Sequence, residues 1–391
     1  MKRVGTLALS LLGVLVSAYV AHAQGFSSGS NGSFGPVNVT SGGTLTIDLP
    51  PDGVIHATTV TVGGSAMLNF NRNALNTPVF LLATGNIDIQ GLIDVSAKAV
   101  SPPTGGAGGP GGFDGGTPGL FGSPPGDGHG PGAGRGGDRL VLLGDVASVG
   151  SAGYGGAASD PTPLDGQTYG SPLLVPLVGG SGGGGSSAGD QGGGGGGAIL
   201  LASSTRVNMS GTIFGRGGTD AFTNRGGSGS GGAIRLVAPL VAGSGALDVF
   251  GGFGIETGGH GRVRIDVIDR SQLTLSVQPP AALTVGSFMV VFPPVVPRLD
   301  ILNVAGRPIA EGTPGPVQVL LPFGAPTSQP VTVQARDFAG TVPIDIVLTP
   351  ANGPRTVVQT TIDMSTGNPA QRTLNVNIPV NVVTQINAWT R

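Results

Sequence analysis

One strand-and-turn motif occurs three times in the chain. The copies are AILLASSTRVNMSGTIFGRGG (residues 198–218), AIRLVAPLVAGSGALDVFGG (233–252) and VFLLATGNIDIQGLIDVSA (79–97). Aligned on their opening strands, they match at Phe80, Ile199 and Ile234, and again at Leu82, Leu201 and Leu236. A glycine recurs at Gly91, Gly211 and Gly245, followed two places later by Ile93, Ile213 and Leu247. A unit of about 20 residues cannot bury its own apolar face, so such units must stack on one another. Short strands separated by Gly and Asn turns, with no helical period, predict an all-β chain built around a parallel β-helix (solenoid). A β-sandwich with similar hairpins is the competing architecture, but the copies agree in register as well as in composition.

The body of this solenoid is expected over residues 37–269. TLTIDL (44–49) alternates as a half-buried strand, and Pro50-Pro51-Asp52-Gly53 is turn chemistry. HATTVTV (56–62) is β-branched, and MLNFNRN (67–73) sets Asn69, Asn71 and Asn73 on one face. That asparagine row suits ladder or turn hydrogen bonding and, as the sharper reading, a carbohydrate site.

The segment LNFNRNALNTPVFLLATGNIDIQGLIDVSA (68–97), then GGPGGFDGG (108–116), then GGGGGGAILLAS and GSGGAIRLVAP, resembles an arrangement found in Gly-rich secreted bacterial proteins with a repeated strand motif. The resemblance covers residues 44–266. It implies a secreted β-rich scaffold and carries no assigned catalytic residues. More loosely, the pattern is similar to bacterial adhesin and haemagglutinin β-helices.

The chain opens like an export signal. Lys2 and Arg3 precede an apolar run at 7–16, too short to span a bilayer, and Ala21-His22-Ala23 fits a cleavage site. Residues 1–23 are therefore expected to be a signal peptide and 24–36 a flexible leader, with no transmembrane segment after cleavage. Export would end outside the cell or on its surface, with the periplasm as the other destination. There is no cysteine, which excludes disulfides and thiolate chemistry. Charged residues are only 10%, and 21 acidic residues outnumber 19 basic ones before Lys2 and Arg3 are removed. Such a surface has no electrostatic footprint for nucleic acid. An extracellular polysaccharide or a cell-envelope component is the expected partner.

The 75 glycines and 32 prolines cluster centrally. Residues 100–137 and 147–197 read as low-complexity insertions, separated by a strand at 138–146. A free loop is the default for such tracts, because glycine loses the most backbone entropy on ordering. Glycines directly preceding the strands at Ala198 and Ala233 argue for some order at tight corners. Residues 270–297 form a Pro-rich junction. From 298 to 391 seven period-2 strands are expected, at 299–304, 316–321, 331–336, 344–349, 355–362, 372–378 and 383–389. Their number and rhythm predict an immunoglobulin-like β-sandwich.

Reactive groups are sparse. His56, His129 and His260 lie in unrelated contexts, and no zinc, phosphate-loop or nucleophile-elbow motif is present. GGPGGFD (108–114) is close to a calcium β-roll repeat, but Asp114 comes one place late and the motif does not recur. Asp114 is thus the one candidate for structural calcium, and no other cofactor is expected. Polysaccharide hydrolysis or lysis would need two acids within reach of one glycosidic bond. Asp88, Asp94 and Asp248 lie on repeat strands, with Phe214 standing at the equivalent position of the middle copy. As outward strand residues they need no catalytic role, and no aromatic cluster accompanies them in the sequence. The expectation is a secreted or cell-surface scaffold of adhesin type without an active site, the alternative being a secreted polysaccharide-active lyase or glycoside hydrolase.

Overall fold

The computed structural model describes residues 25–98, 104–120, 122–137, 149–219, 226–254 and 256–390. The expected signal peptide and the expected strand at 138–146 lie outside these residues. Within them the chain is all-β, and helix is limited to two three-residue 3-10 turns, Pro280–Ala282 and Met364–Thr366.

The first fifteen strands are β1 (Gly35–Val39), β2 (Thr44–Asp48), β3 (Val54–Val62), β4 (Met67–Asn71), β5 (Val79–Ala83), β6 (Ile87–Ile89), β7 (Leu92–Asp94), β8 (Ala198–Ser203), β9 (Arg206–Met209), β10 (Thr212–Phe214), β11 (Ala233–Ala242), β12 (Ala246–Asp248), β13 (Arg262–Asp269), β14 (Ser276–Gln278) and β15 (Leu283–Gly286). All their pairings are parallel. They do not form the expected solenoid. β3 pairs with β5 along its first half and with β6 along its second. β11 likewise pairs with β8 through residues 233–237 and with β9 through 240–242. Strands β3, β5, β8, β11, β9 and β6 therefore close into a six-stranded parallel barrel. The physical reason is strand length. In the copies that break, Thr84-Gly85-Asn86 and Ser204-Thr205 make a corner. In β3 and β11 the strand runs on for 9 and 10 residues without one, so each joins two neighbours that a solenoid would keep in separate sheets. A second, six-stranded parallel sheet has the order β14-β12-β10-β7-β4-β2.

The repeat motif sets the register within these sheets. Ile93, Ile213 and Leu247 pair in one column and are fully buried. Each buried side chain of this kind is worth about 1.5–3 kcal/mol, the main force holding one rung on the next. The recurrent glycine is a packing requirement. A Cβ on Gly211 would fall on the Gly91 carbonyl, and one on Gly245 would fall on that of Gly211. The opening strands need a correction of one residue. Val79 and Leu81, and not Phe80 and Leu82, pair with Ile199 and Leu201.

The described parts of the glycine-rich insertions are ordered. Gly192 and Gly195 donate to Gly116 and Phe113; Gly193 and Gly196 donate to Gly227 and Ser230; Gly106 and Gly109 donate to Gly192 and Gly195; Gly183 and Gly180 donate to Gly193 and Gly196. Each neighbouring segment is thus met at every third residue, the period of a polyproline-II-type extended helix. Six segments surround residues 192–197, the fifth through Gly218 N–H to the Gly194 carbonyl and the sixth through Gly197 N–H to the Val95 carbonyl. Backbone groups satisfy one another here, as any buried segment requires. Only glycine permits the spacing, since a Cβ on Gly193 or Gly195 would land on the carbonyl of Gly218 or Gly180.

The described part of the leader is ordered as well. Ser28 Oγ donates to the Ala83 carbonyl and Ser30 Oγ to that of Ala57, both at 2.7 Å, stitching neighbouring barrel strands from outside. In the junction, Arg235 is fully buried and donates to Asp266 at 3.0 Å and to the carbonyls of Phe288 and Val290 at 3.0 and 2.9 Å. Arg264 holds the other Asp266 oxygen at 2.7 Å.

The C-terminal strands are β16 (Arg298–Val304), β17 (Arg307–Pro308), β18 (Ser328–Arg336), β19 (Thr341–Pro350), β20 (Thr356–Asp363), β21 (Ala370–Asn377) and β22 (Thr384–Thr390). They form antiparallel sheets β17-β16-β18-β21 and β20-β19-β22 around one apolar core. The immunoglobulin-like expectation is corrected along with the solenoid. Residues 316–321 form no strand, and the seventh strand is the two-residue β17. The alternation there has too little to bury. Leu320 is 84% exposed, and Val319 and Leu321 are only partly covered.

This unit docks on the glycine-rich body. Asp127 accepts the Arg355 N–H at 3.0 Å and the Gly136 N–H at 2.7 Å. Thr117 Oγ1 donates to the Ala351 carbonyl at 2.5 Å, and Phe113 meets Trp389 edge-on at 5.5 Å.

Candidate functional site

The second parallel sheet exposes one face outward. Register runs Thr46–Asn69–Asp94–Phe214–Asp248–Gln278 in a single column across six strands. The flanking residues Leu68, Ile93, Ile213, Leu247 and Val277 turn into the core, so alternation sends this column out. A second outward row lies two residues further on and includes Asp48, Asn71, Ser96, Arg216 and Phe250. Asn71 Nδ2 donates to Asp48 at 2.6 Å, and Arg216 N–H to Ser96 Oγ at 3.1 Å.

Two of the three sequence-predicted acids meet on this face. Asp94 and Asp248 are two ladder steps apart, about 9–10 Å between backbones, with Phe214 between them. Asp248 is 5% exposed; its Oδ2 accepts from Arg216 Nε at 2.9 Å and from Nη2, and its Oδ1 accepts the Phe250 N–H at 3.1 Å. Asp94 Oδ1 accepts the Ser96 N–H at 2.8 Å. The Arg216 guanidinium lies over the Phe214 ring, 4.0 Å from its centroid. Beyond it, Phe250 and Phe253 are 5.7 Å apart, and Phe253 is 60% exposed. The sequence reading missed this aromatic group. Its signal was present in Phe214 at the Asp94/Asp248 position and in the V-F-G-G-F run (249–253), but neither stands out until the rungs are stacked.

Asp88 lies elsewhere, on β6 of the barrel, 3.9 Å from Arg206 and 3.4 Å from Asn208. Asp114 is engaged by Arg72 and by the Gly108 N–H at 2.9 Å. Among the described residues no group of three or more His, Asp or Glu side chains could hold a metal ion. Nor is any described helix long and apolar enough to cross a membrane.

The His129 imidazole lies at the docked C-terminal unit. Burial pushes its pKa below the ordinary 6.5; Asp114, a Gln385 hydrogen bond and Asp127 pull the other way, and Arg355 adds to the lowering. This group lies in the contact between the two units and away from the acid column. Compared with known proteins, the chain matches no protein-family model, no curated protein and no solved structure.

Proposed function

We propose that the chain is an exported scaffold of adhesin type, acting outside the cell or on its surface through a pre-ordered face and not through a catalytic centre. One observation carries the reading. On the second parallel sheet, side chains are set at ladder spacing, the inner strands β4, β7, β10 and β12 being bonded on both edges, and the most buried acid on that sheet is already gripped by Arg216. An acid–base pair must reach one bond from two sides. Here Phe214 stands between Asp94 and Asp248, while the same rigidity lowers the ordering cost of surface binding.

The test is to treat intact expressing cells with protease and probe cells, periplasm and medium for the C-terminal unit, alongside turnover of polysaccharides by purified protein. Loss of signal on whole cells, with no turnover, is expected. A pool found only in the cytoplasm would remove the exported reading. Depolymerisation that is abolished in Asp94→Asn would replace the scaffold with the lyase or hydrolase alternative. Asp94 suits that test better than Asp248, whose replacement would also unpair Arg216.

A further inference from the structure

We infer that Phe214, Arg216, Asp248, Phe250 and Phe253 form a binding subsite for a neutral polysaccharide chain laid across the outer face of the second sheet. The inference deepens the scaffold reading and rests on it, since nothing is done chemically to the bound chain.

A sugar ring offers a face of C–H groups and a rim of hydroxyls, so its recognition calls for flat apolar platforms next to fixed polar groups. Phe253 supplies an open platform backed by Phe250. The Arg216 guanidinium lies over the Phe214 ring, 4.0 Å from its centroid, and the pair adds a second contact surface on the same face. The Arg216 charge is balanced by Asp248, and both named donor nitrogens go to one carboxylate oxygen. A guanidinium has five N–H groups, so further donors remain on it for hydroxyl oxygens. Along the column Asp94 and Asn69, and in the row beside it Asn71, add acceptors and amide donors at ladder spacing.

Other polymers fit less well. Asp48, Asp94 and Asp248 outnumber Arg216 on this face, which repels acidic polysaccharide and nucleic acid. A peptide adding as a strand needs a bare sheet edge, and β7, β10 and β12 have neighbours on both sides.

The experiment is native affinity electrophoresis of the full-length exported protein in gels containing a mixed-linkage β-glucan, a mannan or an arabinoxylan, with polygalacturonate as the acidic polymer. At least one neutral polymer should retard the protein. Phe253→Ala should weaken that binding about tenfold, as loss of an aromatic anchor does. Arg216→Lys keeps the charge but loses the planar fork, and should weaken it too. Phe253 is exposed, so its removal leaves the core closed, and unchanged melting checks this. Retardation by polygalacturonate alone, by no neutral polymer, or equally in wild type and both variants would overturn the inference. Cell attachment that survives Phe253→Ala would place binding elsewhere and leave the scaffold reading standing; absence of export would remove that reading instead.

Discussion

A single methyl group separates two kinds of glycine in this chain. At Gly64 a Cβ would meet nothing within 4 Å, whereas at Gly211 it would strike the Gly91 carbonyl of the neighbouring rung. Thermal unfolding should therefore place Gly64→Ala within about 0.5 kcal/mol of wild type. Gly211→Ala should cost about 1–3 kcal/mol, the usual range for overpacking against backbone that cannot yield. A larger loss is expected at Asp266, which two arginines share. Asp266→Asn strands the fully buried Arg235, and breaking such a pair costs about 3–5 kcal/mol, readable in the same melts. The glycine column and the Ile93, Ile213 and Leu247 column were legible because each side chain there has one permitted direction. The register of β5 was not. Val79 and Leu81 face the barrel interior while Phe80 and Leu82 pack into a second apolar cluster, so both parities are apolar. A strand buried on both faces carries no alternation to count.

Element by element, the copies showed that strands would stack in parallel but not how the stacks would join. That depended on whether a corner interrupts the strand, and the β-branched run of β3 contains none. At the C-terminus the strand expected at 316–321 failed for a related reason, since alternation describes a face and not the sheet that must receive it. What holds the neighbouring loop is Glu311. It accepts from Arg336 at 2.6 and 2.9 Å and also from Arg298; the Arg336 bonds first, then Gln334, with the nearby arginine charges adding less, lower its carboxyl pKa to about 2. Because the folded value is depressed, this contribution is present above the ordinary 4.5 and is lost as pH falls through about 2. An acid titration followed by circular dichroism should show wild type losing the clip over that window, and Glu311→Gln should remove that part of the acid dependence.

Across the whole molecule, glycine thins near residue 298, and the strands beyond it pair antiparallel where those before it pair parallel. The docking contact was not legible, because Phe113, Thr117 and Asp127 meet Trp389, Ala351 and Arg355 from isolated positions far apart in the sequence, with no pattern to read. The glycine-rich bundle was hidden as well, its order residing in backbone hydrogen bonds of period three. Trp389 is the only tryptophan and lies against Phe113 across the contact, so its emission reports docking. His129 is the titrating group there, faced by Asp114, Asp127, Arg355 and Gln385. Its folded pKa is lowered, so the docked form takes up its proton less readily than an open form with the ordinary value of 6.5. Docking should be intact above that value and weaken as pH falls below it. Trp389 emission is expected to shift red on acidification from about pH 7 to about pH 5, and His129→Gln should flatten the response.

The route of the chain through its insertions has a kinetic consequence. Val79 pairs with Ile199, so two adjacent barrel strands are joined only through the entire glycine-rich region. Closing a loop of that length comes before the pairing that rewards it, and contacts so distant in sequence make folding slow. Until residues 192–197 have found their six neighbours, β5 and β7 each wait with a bare edge, the form of a chain most open to pairing with another copy of itself. The glycine tract, built almost without side chains, thereby sets the clock for the barrel beside it.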